Sequence, residues 1–268
     1  MNSTMGRPFA VVTGASSGIG LELAKQFAKN GFDVLITAED DELAAAAEEV
    51  REFGTRVDVV QADLRREEEV EKLVDEVAGT GRPVGAVALN AGVGAGGAFV
   101  GGTTLEDQLA VVDLNVRSTV HLAHRLLPPM TERGVGRVLF TSSVVATAPG
   151  PFQSVYNASK AFIKSFAEAL REELRDTGVS VTTLMPGPTD TEFFDRADML
   201  DTKLAESGKD SPAVVAKQGY DALMAGEDHV VAGSPKNKAQ AAAGNVLPDP
   251  AVAKQHRKTT EPGSADRE

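Results

Sequence analysis

A tyrosine and a lysine stand four residues apart in the segment Tyr156-Asn157-Ala158-Ser159-Lys160. In a helix, this spacing places the two side chains on one face, about one turn apart. A free phenol has a pKa of about 10, and a neighbouring ammonium lowers that value because it favours the phenolate. The pair is therefore suited to acid/base chemistry, although such pairs are also common as surface decoration. Tyr156 is one of only two tyrosines in the chain.

A serine hydroxyl precedes this pair. Ser143 stands at the predicted end of a strand, where its hydroxyl can reach the substrate oxygen that Tyr156 would protonate. Ser142 is adjacent to it, and the spacing to Tyr156 favours Ser143. These residues predict proton transfer to or from a carbonyl or hydroxyl oxygen.

A glycine-rich turn follows the first predicted strand. The segment reads TGASSGIG from Thr13 to Gly20, with glycines at positions 14, 18 and 20, and it opens an amphipathic helix. Small residues let the backbone approach a pyrophosphate, whose charge is stabilised by free N–H groups at a helix N-terminus. The segment predicts a dinucleotide site, and a tight strand-to-helix turn without ligand is the alternative.

Four consecutive acids, Glu39 to Glu42, follow the second predicted strand. In a dinucleotide-binding unit, the adenosine ribose lies there, and a 2′-phosphate would meet like charge without an Arg or Lys partner. This favours NAD over NADP, with Glu39 binding the ribose. The acids are equally explained as the acidic start of a helix, which the macrodipole favours.

Short Val/Ile/Leu-rich runs alternate with longer amphipathic stretches, which is typical of βα units around a parallel sheet. The pattern predicts seven strands: 8–13, 33–37, 56–61, 84–90, 136–142, 180–185 and 229–232. It predicts helices at 19–30, 42–53, 67–78, 105–131, 155–177 and 212–225. The expected fold is a three-layer α/β/α, Rossmann-type doubly wound sheet, with the ligand crevice at the carboxyl ends of the strands.

Two segments break this rhythm: the glycine-rich residues 92–102 and a longer stretch that follows the sixth predicted strand. Residues 187–210 form a long polar stretch, which we interpret as a lid over the site. Residues 1–233 are expected to form a single dinucleotide-binding and catalytic domain. Residues 234–268 should form a tail with one or two short helices, disordered from residue 259 onward.

The bulk composition narrows the class of protein. A formal charge of −12 and a pI near 4.9 argue against a nucleic-acid or anionic-membrane surface. The chain has no cysteine, which excludes disulfides and Cys-ligated zinc and fits a reducing compartment. We see no apolar run long enough for a signal peptide or a membrane span, so a cytoplasmic location is expected. His121 and His124 lack a third ligand, and no metal is expected.

The ordered set of motifs resembles the short-chain dehydrogenase/reductase family between residues 9 and 194. The shared motifs are TGxxxGxG at 13–20, Asp63 in Gln-Ala-Asp-Leu, the Asn-Ala-Gly at 90–92, Asn115, Ser143, YxxxK at 156–160 and PGxxxT at 186–191. The resemblance implies that Asp63 binds the adenine amino group and that Thr189 and Thr191 hold the carboxamide. Taken alone, Asp63 is as well explained as a helix cap, and Asn90 as a turn former.

The resemblance implies the full site. It gives four catalytic residues: Asn115, which anchors a proton-relay water, Ser143, Tyr156 and Lys160. The cofactor would contact Gly14, Ser16, Ser17, Gly18, Ile19, Gly20, Glu39, Asp63, Leu64, Asn90, Ala91, Gly92, Tyr156, Lys160, Pro186, Gly187, Thr189 and Thr191.

The expected function is hydride transfer between a nicotinamide cofactor, NAD rather than NADP, and a small-molecule secondary alcohol or ketone. An NADPH-dependent carbonyl reductase and a non-catalytic dinucleotide-binding regulator are the alternatives. The resemblance also implies a homodimer through the helices at 105–131 and 155–177. The segment after Gly233 departs from the glycine-rich end that family members use in tetramer packing, so a tetramer stays open.

Overall fold

A computed structural model describes residues 6–246 and 248–266 of the chain. Its seven strands form one parallel sheet in the order β3-β2-β1-β4-β5-β6-β7. The strands are β1 (Phe9–Thr13), β2 (Asp33–Ala38), β3 (Val57–Gln61), β4 (Val84–Leu89), β5 (Gly136–Thr141), β6 (Val179–Pro186) and β7 (His229–Ala232).

Helices cover both faces of this sheet. The helices are α1 (Gly18–Lys29), α2 (Leu43–Arg51), α3 (Glu67–Gly79), α4 (Leu105–Val112), α5 (Ser118–Arg133), α6 (Ser154–Glu173), α7 (Phe193–Arg196), α8 (Lys203–Glu206), α9 (Pro212–Ala225), α10 (Pro235–Val246) and α11 (Asp249–Thr260). Within the described residues, no helix is long and apolar enough to cross a membrane.

The core explains why the strands are continuous apolar runs. All five residues of β1 are buried, because the central strands of a parallel sheet are covered on both faces. One buried cluster packs α1, α2 and α9 against the sheet, and a second packs α3, α5 and α6 against its other face. These layers confirm the predicted three-layer α/β/α fold.

The strand order reverses between β1 and β4. The chain first builds β1, β2 and β3 toward one edge and then returns to place β4 on the other side of β1. Connections leave this point in opposite directions, which opens a crevice beyond the carboxyl ends of the two strands. The predicted motifs lie at this crevice.

The predicted helix at 105–131 is wrong in one detail, because it is interrupted. A π-helical turn, Asp113–Arg117, separates α4 from α5 and contains Asn115. The wider i→i+5 turn is invisible to a pattern search that assumes a helical period of 3.6, and such turns often occur at functional sites.

The segment 187–210 contains two short helices rather than an open loop. Phe194, Ala197, Met199 and Ala205 form a small buried cluster of their own. Two further helices, α10 and α11, follow β7.

The predicted disorder from residue 259 onward is contradicted up to residue 266. The Thr260 hydroxyl donates to the Pro151 carbonyl at 2.9 Å, and the Ser264 hydroxyl accepts from the Lys203 N–H at 3.0 Å. The polar composition of this segment suggested disorder, but its hydroxyls bond distant backbone groups. Residues 267–268 lie outside the described residues.

Candidate active site

The catalytic candidates converge where β5 and α6 meet. Ser143 follows β5 and is buried, and its hydroxyl accepts from the Val145 N–H and donates to the Pro186 carbonyl, each at 3.3 Å. Tyr156 lies in the first turn of α6, and Lys160 lies one turn later. The Lys160 Nζ lies 5.7 Å from the centroid of the Tyr156 ring.

The sequence predicted a lowered pKa for the Tyr156 phenol, but in the structure this pKa is raised. Burial raises the pKa of Tyr156 to about 12, and a hydrogen bond with Ser143 acts in the opposite direction. Burial lowers the pKa of Lys160 to about 8. The Lys160 ammonium donates to the Thr141 carbonyl at 3.0 Å. Removal of water from the phenol therefore has the larger effect on the pKa of Tyr156.

Asn115 is buried behind the cleft and does not line it. Its amide accepts from the Val93 N–H and donates to the Val93 carbonyl, both at 2.9 Å. It also donates to the Ser159 hydroxyl at 2.9 Å. A Cβ atom on Gly92 would lie 3.1 Å from the Lys160 Nζ and 3.2 Å from the Asn115 Oδ1. Asn115 therefore fixes the loop after β4 against α6.

The glycine turn forms a cradle that larger residues would fill. Gly14 has a φ of +64°, and a Cβ there would lie 2.8 Å from the Ala91 Cα. A Cβ on Gly18 would lie 2.9 Å from the Thr191 Cγ2. Ser17 caps α1 without a side-chain hydrogen bond, so backbone N–H groups at this N-terminus are open to an anion.

Asn90 braces the cradle from the neighbouring strand end. Its amide donates to the Thr13 carbonyl at 3.2 Å and accepts from the Thr141 hydroxyl at 3.1 Å. The Thr13 hydroxyl accepts the N–H groups of Asn90 and Ala91, both at 3.0 Å. Asn90 thus holds the ends of β1, β4 and β5 together. This role is larger than that of a turn former, which was the alternative from the sequence alone.

The acids after β2 have partners that the sequence did not reveal. Glu39 pairs with Arg65 at 2.5 Å. Asp40 accepts from the Ser16 hydroxyl at 2.9 Å, and its other oxygen, Oδ1, is buried without a partner among the described residues. Arg196 lies 3.7 Å from Asp40. The expectation that no basic residue approaches these acids is therefore wrong, because Arg65 pairs with Glu39 and α7 places Arg196 beside Asp40.

Asp63 follows β3 and caps the next turn, accepting from the Arg65 N–H at 3.0 Å. Burial would raise the pKa of Asp63, but hydrogen bonds from the Arg65 side chain and backbone outweigh it and hold the pKa below its usual value. Asp63 is thus an ionised acceptor at the adenosine end of the cleft.

One cleft brings the predicted residues together. It is lined by every predicted site residue except Asn115. Sequence reasoning missed Ala38, Asp40, Ala62, Val93, Leu114, Thr141, Ser142, Val144, Val145, Gln153, Pro188, Glu192, Phe193, Phe194, Arg196, Leu204 and Gln240 as lining residues. Most lie on turns, the 187–210 segment or α10, where no motif marks them. The sequence offered one signal, the pair Phe193-Phe194 within the predicted lid, which could contact an apolar substrate or equally anchor the loop.

The two histidines on α5 have no partner set for a metal. His121 Nε2 lies 2.6 Å from Glu71 Oε1, a carboxylate that Arg125 also binds. Within residues 6–246 and 248–266, no group of three or more His, Cys, Asp or Glu side chains is arranged to hold a metal ion.

Comparison with known proteins places this geometry in a family. The short chain dehydrogenase family model matches residues 8–199. The chain belongs to the short-chain dehydrogenase family. It is 35% identical over 185 residues to sulfoacetaldehyde reductase 2 of Chromohalobacter salexigens, covering 68% of this chain and 73% of that protein. Because the chain belongs to this family, the protein is an NAD(P)-dependent oxidoreductase.

Solved short-chain dehydrogenases share the fold. One from Sphingobium yanoikuyae, in complex with NADPH, has a TM-score of 0.78 and 30% identity, over 84% of this chain and 87% of that chain. Another from Burkholderia phymatum, in complex with NAD, has a TM-score of 0.78 and 25% identity, over 88% of this chain and 92% of that chain. Short-chain dehydrogenases similar to this chain therefore bind either dinucleotide.

Proposed function

We propose that this protein transfers a hydride between a nicotinamide cofactor and a secondary alcohol or ketone, with Tyr156 as the acid/base. The observation that carries this proposal is the hydrogen bond between the Tyr156 phenol and the buried Ser143 hydroxyl, one helical turn from Lys160. Two hydroxyl groups at one point suit a single oxygen atom that gains or loses a proton.

The residues of the cleft fit a dinucleotide. The glycine cradle would hold the pyrophosphate against the N-terminus of α1, and the unpartnered Asp40 Oδ1 would accept from a ribose hydroxyl. Asp63 would accept from the adenine amino group, and Thr189 and Thr191 would orient the carboxamide. When bound, the nicotinamide supplies or accepts the hydride.

The chain's own residues manage the proton. A phenol with a pKa of about 12 stays protonated at neutral pH, so Tyr156 is ready to donate to the oxygen of a ketone. The Ser143 hydroxyl holds that same oxygen. Lys160, with a pKa of about 8, is mainly charged at neutral pH and stabilises the phenolate left after donation.

NAD is the proposed cofactor. Glu39 and Asp40 line the place for the adenosine ribose, and a 2′-phosphate would lie against their charge. Arg196, 3.7 Å from Asp40, and Arg65, 2.5 Å from Glu39, offset part of this charge. An NADPH-dependent carbonyl reductase is the second candidate, favoured by the reach of Arg196 into this end of the cleft.

Replacement of Tyr156 by Phe tests the function. We expect kcat to fall by about a thousandfold or more, because a positioned general acid contributes on the order of 10²–10⁴-fold. Affinity for the cofactor, measured by fluorescence titration, should change little. The matched control is Tyr220→Phe, since Tyr220 is buried on α9 outside the cleft. A non-catalytic regulator would show no turnover in the native protein and the same dinucleotide binding in both variants.

We also propose a homodimer in the reducing cytoplasm. Leu109 on α4 and Phe162 on α6 are half exposed, on the helices through which the resemblance implies pairing. Light scattering of the native protein should give twice the monomer mass, and Leu109→Glu should give the monomer.

A further inference from the structure

The substrate end of the cleft consists of the lining residues around Ser143 and Tyr156. Its apolar side chains are Val93, Val144, Val145, Phe193, Phe194 and Leu204. They come from the turn after β4, the turn after β5, and the helices α7 and α8. Its amides, Gln153 and Gln240, are polar but neutral. Four separate segments thus place apolar atoms around the proton donor.

Phe193 is held next to the phenol as a fixed wall. Its ring centroid lies 5.0 Å from that of Tyr156, with an interplanar angle of 48°. The Phe193 ring also lies against Gly94, where an added Cβ would come within 2.6 Å of the Phe193 Cζ. Phe194 packs edge-on against Phe193 at 5.5 Å. One substituent on a carbonyl bound by Tyr156 would therefore lie against an aromatic face.

The ionisable side chains of the cleft are already engaged elsewhere. Those in its lining are Glu39, Asp40, Asp63, Lys160, Glu192 and Arg196. The first three follow β2 and β3, at the adenosine end. Arg196 is held by Glu192 at 2.6 Å and directed toward Asp40. Lys160 donates to the Thr141 carbonyl beneath the phenol. Among the described lining residues, none offers a free cation to the apolar walls, and the Lys209 ammonium, 5.0 Å from the Phe194 ring centroid, lies outside the lining.

A substrate carboxylate or sulfonate would lose its water there without gaining a partner. Burial of an unpaired charge is far more costly than burial of an uncharged ester or alkyl group. We propose that the substrate is an uncharged ketone or secondary alcohol with an apolar substituent that packs against Phe193. This inference rests on the proposed function, because it assumes that the oxygen binds at Ser143 and Tyr156.

A pair of ketones that differ in one charge tests the inference. Acetoacetate and its methyl ester carry the same reducible carbonyl, and only the first is an anion at neutral pH. With NADH and with NADPH, we expect kcat/KM for the ester to exceed that for the acid by on the order of a hundredfold. Equal or greater activity on acetoacetate would overturn the inference while leaving the proposed function intact. Binding of the cofactor without turnover of either ketone would overturn both.

The size of the ester group then locates the apolar contact. The benzyl ester of acetoacetate should exceed the methyl ester in kcat/KM by about tenfold, because a phenyl ring buries more apolar area. Phe193→Ala should abolish that ratio, whereas Phe53→Ala, which changes an exposed ring outside the cleft, should preserve it. A ratio that survives in Phe193→Ala would overturn the assignment of this wall, since a general loss of folding lowers both activities without changing their ratio.

Discussion

The cofactor side and the substrate side of the cleft are positioned by different means. On the cofactor side, Thr13, Asn90 and Thr141 lie at the ends of adjacent parallel strands and bond one another. On the substrate side, the walls lie on turns and short helices that hold each other. The Gly96 N–H donates to the Ala197 carbonyl at 2.8 Å, and the Gly97 N–H donates to the Phe152 carbonyl at 2.9 Å.

This difference indicates on which side of the cleft residues can change without disturbing the fold. Strand register fixes the cofactor side, so a change there must disturb the central sheet or the glycine cradle. The substrate side can be rebuilt by changing one lid contact at a time. We therefore expect substitutions on the two sides to separate into effects on cofactor affinity and effects on substrate selectivity.

Gly14→Ala should give the largest effect, on the cofactor side. A Cβ there meets the Ala91 backbone at 2.8 Å, so the cradle must widen. We expect the affinity for the dinucleotide, measured by titration, to fall by about a hundredfold, since misplaced backbone donors lose several hydrogen bonds.

Gly81→Ala is the control for backbone strain. Gly81 has the same φ of +64°, and nothing lies within 4 Å of its added Cβ. It should lose about 1 kcal/mol in the free energy of unfolding and retain cofactor affinity. Equal loss of affinity in both variants would show that strain, rather than close approach, explains the need for Gly14.

Removal of residues 249–268 should give the next largest effect, on the substrate side. The segment ties the 149–153 turn, through Thr260, to the lid, where the Ala265 N–H donates to the Asp201 carbonyl at 3.0 Å. We expect kcat/KM for the ketone to fall by about thirtyfold, since misplaced walls lose orientation. Cofactor affinity should stay within about twofold.

A pair of threonines refines that test. Thr260→Val removes the bond to Pro151 and should lower kcat/KM by about fivefold. Thr259→Val is the control, because both hydroxyls bond the His256 carbonyl of their own helix at 2.9 Å and only that of Thr260 also bonds Pro151. Lowered cofactor affinity after either change would mean that the two sides are not independent.

The predicted site residues other than Asn115 line one cleft, and the sequence could indicate them because each motif needs only local geometry. The glycines before α1 and the YxxxK pair on α6 needed only short-range geometry. Strand ends then assembled these motifs, as the βα rhythm predicts. Asp40 was missed as a lining residue beside Glu39, since the direction of each acid side chain depends on the turn after β2. Arg196, Leu204 and Gln240 were missed because folding of the lid and tail, rather than a motif, brings them to the site.

Lys160 lies where the cofactor side and the substrate side of the cleft meet. Loss of its proton should give the third effect, on the pH dependence of ketone reduction. Burial disfavours its charged form, so the ammonium is present below a pH of about 8 and lost above it. Tyr156 remains protonated over that range. Ketone reduction should therefore fall by about tenfold for each pH unit above that value, as kcat/KM profiles would show.

Lys164→Met is the control for this limb of the profile. Lys164 lies one turn further along α6 and pairs with Glu168 at 2.6 Å. Its loss should leave the pH dependence unchanged, whereas Lys160→Met should lower activity and remove the dependence. An increase of reduction through pH 8 would contradict the need for a charged Lys160.

Asp40→Asn should give the smallest effect and the finest test of the cofactor side. The change keeps the shape at the Ser16 hydroxyl but removes a charge near the place for the ribose. We expect the ratio of the NADPH to the NADH dissociation constant to fall by about fivefold, roughly one net hydrogen bond. Asp41→Asn is the control, because Asp41 bonds Gln61 outside the cleft. Tighter binding of NADPH than NADH by the native protein would instead mean that Arg196 outweighs these acids, and that the substrate-side lid sets the cofactor preference.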